Sequence, residues 1–292
     1  MNLIYLADSI ANGILLGTVY GLFALGLSLM FGVAGIINFA HGDVFMVAGY
    51  LAVGATAVLG SFALGVTASV IVMAVIGAAS YFLLFRRLQS ASTPAMTVVA
   101  TLGLGVVLQN GALLVLGGEA QRIQTAATRT TLDVGGMFLN GGRVVAFAVC
   151  VVSLLILWLF LTRTRLGIGM RAISQNREAA AVYGIPQART TATTIAIGFA
   201  LTAIAAGVLT PLFGVYPMIG LVFIIKAFAI VVVGGFGSLV GTVVVGIAVG
   251  LSESLAGAYV SSALQNTAAF ILLLLVLALR PHGLVKLAVR ES

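Results

Sequence analysis

Charged residues interrupt this chain so rarely that uncharged, mostly apolar runs define it: Ser9 to Gly42, Val44 to Phe85, Leu88 to Gly118, Val144 to Thr162, Thr190 to Ile225, Ala227 to Ser252 and Ser254 to Leu279. About 20 apolar residues in a helix cross a bilayer core. The runs therefore predict an all-α, polytopic transmembrane helix bundle with eight or nine crossings. The first is expected over Ile10 to Phe31, and the Val44 to Phe85 run holds two, divided near Gly60-Ser61. Beyond Arg189 the pieces near 191–213, 220–236, 238–257 and 263–279 supply the rest, and nine crossings is the preferred count.

Two stretches break the helical pattern. Phe31 to Asp43 gathers glycines with Asn38, His41 and Asp43 between two spans, and Val233 to Gly241 carries Gly234, Gly235 and Ser238. Irregular backbone at membrane depth survives only where protein buries it or water lines it, so paired Gly-rich interruptions point to a translocation path or gate. Two other readings stand beside this one. Glycine also permits close helix packing, and His41 and Asp43 also suit a solvated loop end.

Composition removes the soluble classes. Of 292 residues, 61% are hydrophobic and 7% charged, with a mean hydropathy of +1.23, which leaves too few charges for a solvated surface. A lone cysteine, Cys150, excludes a disulfide framework. The net charge of +7 fits membrane orientation rather than nucleic acid, because Arg86, Arg87, five arginines between Arg163 and Arg189, Arg280, Lys286 and Arg290 can all share one side. By the positive-inside rule that side is the cytoplasm, with the N-terminus outside and the C-terminus inside. No basic residue precedes the first run, so that run is expected to remain as a span rather than a cleaved signal. The organisation is then one transmembrane domain, 1–292, with a cytoplasmic loop over 163–189 and an external segment over 119–143. In that segment alternating residues and the Asn140-Gly141 pair suggest a small hairpin.

Two intramembrane charges, Lys226 and Glu253, fall at matching depth, roughly 9 and 6 Å from the outer ends of their helices by helical rise. Such groups are costly unless they pair or face a bundle interior. An ion pair near an outer gate is expected, with snorkelling of Lys226 as the alternative. Within the cytoplasmic loop, Asn176 to Pro186 has the marks of a short terminated helix. Asn176 can cap it, Glu178 suits its positive end, Gly184 can take the left-handed stop, and Pro186 forbids continuation. No Gly-x-x-x-x-Gly-Lys-[Ser/Thr] loop and no His-Glu-x-x-His pair occurs, so neither nucleotide chemistry nor a zinc hydrolase is expected on this chain.

The stretch Gly17 to Asp43, the Lys226-Ala227-Phe228 triplet, the Val-Val-Gly-Gly-Phe-Gly-Ser that follows it, Glu253, and Arg280-Pro281-His282-Gly283-Leu284 closely resemble branched-chain amino acid ABC transporter permeases of the Liv type. Urea and short-amide permeases share much of this pattern. The resemblance implies that the cytoplasmic helix docks on an ATPase through Asn176, Arg177, Glu178, Ala179, Ala180, Tyr183 and Gly184. Glu178-Ala179-Ala180, three residues and Gly184 match the core of the importer motif, although Ile195 lacks the usual following Leu-Pro. It also implies two cytoplasmic ATPase subunits carrying ATP and Mg, a second homologous permease, an extracytoplasmic substrate-binding protein, and a bacterial inner-membrane location. No cofactor and no nucleic acid is expected on this chain. An ion-coupled secondary transporter, the reading from another class, would want midplane carboxylates that Asp8, Asp43 and Glu253 scarcely provide. A channel would want repeated filter chemistry.

Overall fold

A computed structural model describes residues 3–89, 94–134 and 137–261, with positions 265, 267, 270, 271, 274, 275 and 278. Its elements are α1 (Leu3–Leu29), α2 (His41–Leu59), α3 (Phe62–Ser80), α4 (Arg86–Gln89), α5 (Pro94–Leu116), α6 (Ala126–Arg129), β1 (Thr131–Val134), β2 (Met137–Asn140), α7 (Gly141–Arg163), α8 (Arg165–Gln175), α9 (Arg177–Val182), α10 (Gln187–Phe213), α11 (Ile219–Gly234) and α12 (Leu239–Tyr259). Among the described residues seven helices are long and apolar enough to cross a membrane, and α11 is a shorter apolar helix. The split of the second run lies where expected, because Gly60 takes a left-handed φ of 65° and ends α2. The expected crossing over 263–279 and the basic C-terminal tail fall largely or wholly outside the described residues.

The first helix begins earlier than Ile10 and extends through a π-helical turn, Met30–Ala34, before Gly35 (φ 67°) stops it. Its packing explains the glycines. Gly13, Gly17 and Gly21 recur every four residues and so line one face of α1; opposite them, running antiparallel, stand Gly250, Gly246 and Thr242 of α12. A Cβ on Gly17 would lie 2.6 Å from Ile247 Cα, and one on Gly246 2.6 Å from Gly21 Cα. The two backbones therefore touch, the small-residue packing that dispersion favours where lipid competes for every larger side chain. Around this pair, α1 and α10 are largely covered by protein, whereas α3, α5 and α7 carry mostly exposed apolar side chains such as Val75, Leu114 and Ile156.

The hairpin expected over 119–143 forms, but its turn is not Asn140-Gly141. β1 and β2 pair antiparallel from Thr131 with Asn140 to Val134 with Met137, so the chain reverses before Asn140 is reached. Asn140 instead caps α7, its side chain accepting from Gly142 N at 2.9 Å. Its φ of −66° is incompatible with the positive φ of a type I′ turn. The loop over 163–189 also holds more helix than its one predicted piece. Thr164 caps α8 by accepting from Gly167 N, and α8 buries Gly167, Met170 and Ile173, spaced by three on a single face.

Candidate functional site

The first break is a membrane-depth interruption whose freed backbone groups find side-chain partners. His41 sits against Thr202, its Nε2 2.9 Å from Thr202 Oγ1, and Thr202 lies about 22 Å along α10 by helical rise. α2 therefore starts near the middle of the bundle rather than at its surface, and the solvated alternative for His41 and Asp43 does not hold: Asn38 and His41 are fully buried and Asp43 is 7% exposed. The unwound stretch is satisfied by side chains, as buried backbone must be. Phe39 N donates to Thr101 Oγ1 at 3.2 Å, Ala40 N to Asn38 Oδ1 at 3.1 Å, and Gln89 Nε2 donates to the freed Ala34 carbonyl at 2.7 Å. His41 stacks on Phe23, with centroids 5.1 Å apart.

The second break lies at the far end of α11. Gly235 and Gly237 adopt φ of 90° and 78°, Gly237 N donates to Ser28 Oγ of α1 at 3.0 Å, and Ser238 caps α12 through Gly241 N. Phe31 and Phe236 meet at 4.3 Å between ring centroids, so both breaks are pinned by the same end of α1. The predicted site residues thus form separate groups. Asn38, His41 and Asp43 gather where α2 begins, Gly234, Gly235 and Ser238 lie at the other end of α11, and Lys226 and Glu253 lie between.

Lys226 and Glu253 make the expected ion pair. Nζ is 2.8 Å from Oε1 and 2.9 Å from Oε2, and it donates to Tyr20 Oη at 3.3 Å while lying 4.7 Å from the centroid of the Tyr20 ring. Both charges are buried, at 6% and 1% exposure, so three helices, α1, α11 and α12, share one neutralised polar cluster. Lys226 does not snorkel to an interface.

One further site escaped sequence reasoning. A cavity of about 500 Å³ runs along α11 from Leu221 to Val232, walled by α5 and closed at the side by Phe39 and Asp43. Its α5 wall comes from Gly105, Val106 and Gln109, whose neutral, apolar context carries no signal in the sequence. Among the described residues no group of three or more His, Cys, Asp or Glu could hold a metal ion.

On the loop over 163–189, Asn176 Oδ1 accepts from Ala179 N at 2.8 Å. Gly184, at φ 76°, closes a Schellman stop in which Ile185 N bonds Ala180 O at 3.0 Å and Gly184 N bonds Ala181 O at 2.9 Å. Arg177 is tied to α10, its Nε donating to Gln187 Oε1 at 3.2 Å and its carbonyl accepting from Gln187 Nε2 at 2.9 Å. Ala180 faces inward; Glu178 is exposed, and Val182 and Tyr183 are 86% and 85% exposed at the tip.

Residues 9–279 match the family described as branched-chain amino acid transport system / permease component. The chain belongs to that family. Similar curated permeases include the high-affinity branched-chain amino acid transport system permease protein BraD of Pseudomonas aeruginosa, 30% identical over 95% of this chain and 94% of that one. LivH of Escherichia coli (strain K12) is 28% identical over 96% of each chain, and a probable LivH of Methanocaldococcus jannaschii is 27% identical over 90% and 87%. As a permease, the chain has the apolar outer helices that its setting requires.

Proposed function

We propose that this permease is the membrane-spanning subunit of an ATP-driven importer for branched-chain amino acids, supplying half of the translocation pathway in a bacterial inner membrane, with its N-terminus outside and its C-terminus in the cytoplasm. The observation that carries the coupling half of the reading is α9, a helix fixed at both ends that presents Glu178, Val182 and Tyr183 to solvent. Two exposed apolar side chains on a rigid, capped tip suit a protein groove better than water. In this reading two ATPase subunits carry ATP and Mg, a second homologous permease completes the path, and an external binding protein delivers substrate to the β1–β2 side. ATP binding and hydrolysis move the docked α8–α9 unit, and the bundle alternates between states that bind substrate and partners differently. Lys226 and Glu253 hold the outer half of α11 and α12 together as part of the gate frame. The branched and aromatic walls of the α5–α11 groove favour a hydrophobic amino acid over urea or a short amide.

The test is co-purification with ATPases encoded beside it, followed by ligand-stimulated ATP hydrolysis in proteoliposomes containing the binding protein. Stimulation by leucine, isoleucine or valine is expected. Stimulation confined to urea or acetamide, or uptake by the chain alone without ATP, would overturn the reading.

A further inference from the structure

We infer that Asp43 is the receptor for the substrate's ammonium group, and that the α5–α11 groove beside it takes the substrate's aliphatic side chain. This rests on the importer reading above and adds the chemistry of recognition. Three observations converge. First, Asp43 is nearly buried, yet among the described residues no cationic side chain pairs with it. A carboxylate in such a place is costly unless a counter-charge arrives. Second, it opens onto a space large enough for a small-molecule ligand, about 500 Å³, whose other walls include Phe39, Val106, Ile224, Ile225, Phe228 and Phe270. Third, glycines on both sides leave room for the carboxylate itself between α5 and α11. A Cβ on Gly105 would come within 2.5 Å of Asp43 Oδ2, and one on Gly220 within 2.9 Å of Oδ1.

A second polar group completes the arrangement. Gln109 stands one helical turn beyond Gly105 on the same face of α5, and its Nε2 is turned onto the Met218 sulfur, a weak acceptor. A substrate carboxylate would be a stronger partner for that amide. The cavity therefore has an acceptor for a cation at one point, a donor for an anion at another, and apolar walls along about 16 Å of α11. This is the pattern of a zwitterion with a hydrophobic side chain. The same features disfavour a neutral polar solute, which would leave the Asp43 charge unmatched.

The test uses the complete transporter. Ile225, 41% exposed on the groove wall, is replaced by Cys, and its labelling by a charged, water-soluble thiol reagent is followed with and without leucine; native Cys150 is buried. Leucine and 3-methylbutylamine, which keeps the ammonium, should slow labelling, whereas 4-methylpentanoate, which lacks it, should not. Adding Asp43→Asn should raise the leucine concentration for half protection about tenfold or more, and Asp43→Glu should recover most of that loss. A cysteine inert to the reagent in every nucleotide state, equal protection by the acid and the amine, or protection unaltered by Asp43→Asn would each overturn the inference. Leucine-stimulated ATP hydrolysis of the parent complex is recorded alongside. Its absence strikes the importer reading, whereas its presence with unaltered protection strikes only Asp43.

Discussion

Two acidic side chains lie deep in this bundle, and they are treated in opposite ways. Glu253 is 1% exposed with both oxygens within 3 Å of the Lys226 ammonium. Asp43 is 7% exposed with no cation beside it among the described residues, and it opens onto a cavity. The first charge is closed within one chain and ties three helices together. The second is left for something to meet. Burial alone therefore does not say how a charge is compensated; the presence of an internal partner does.

The widest gap between the two should appear in stability. Glu253→Ala strands the Lys226 ammonium, and a loss of about 3 kcal/mol is expected, since breaking a buried pair from one side leaves an uncompensated charge. Thermal unfolding in detergent measures it, and the double change Lys226→Met with Glu253→Met should recover most of the loss. A single variant as stable as the parent would remove the distinction. A smaller effect is expected on the loop over 163–189, where Glu178 faces outward. Glu178→Arg should weaken ATPase association about tenfold, which is roughly 1.4 kcal/mol, in a pull-down from detergent, with membrane insertion unchanged. Asn176→Ala removes only a cap and should cost about 1 kcal/mol of local helix stability, read as faster amide exchange at Ala179. Least of all, Asp43→Asn should leave the unfolding temperature nearly unchanged, because loss of a favourable first-turn charge, worth about 0.3–1 kcal/mol, is offset by relief of an unpaired buried one. A large drop would place Asp43 with Glu253.

Much of this was legible in the residues. Run lengths located the helices, Gly60-Ser61 marked a true boundary, and Asn176, Gly184 and Pro186 delimited α9, because caps and stops are local chemistry. Lys226 and Glu253 were paired by depth alone. What escaped depends on contacts between distant segments. Gly105 and Gln109 acquire meaning only once α5 is laid beside Asp43. α8 was overlooked because its apolar face is built largely from glycines, Gly167 and Gly169, with Met170 and Ile173, and glycine reads as a breaker rather than a packing surface. Asn140-Gly141 reads as a turn in the sequence because the same residue types serve hairpins and helix caps, and only the backbone angle separates them.

The glycine seam between α1 and α12 also constrains how the protein is made. Its two halves are more than two hundred residues apart in the chain, and a ribosome adds roughly 5–20 residues per second, so α1 waits on the order of ten seconds or more before its partner emerges. Throughout that interval its bare backbone face must be covered by lipid or by the insertion machinery. A helix that leaves the ribosome late is then the one that locks the first in place.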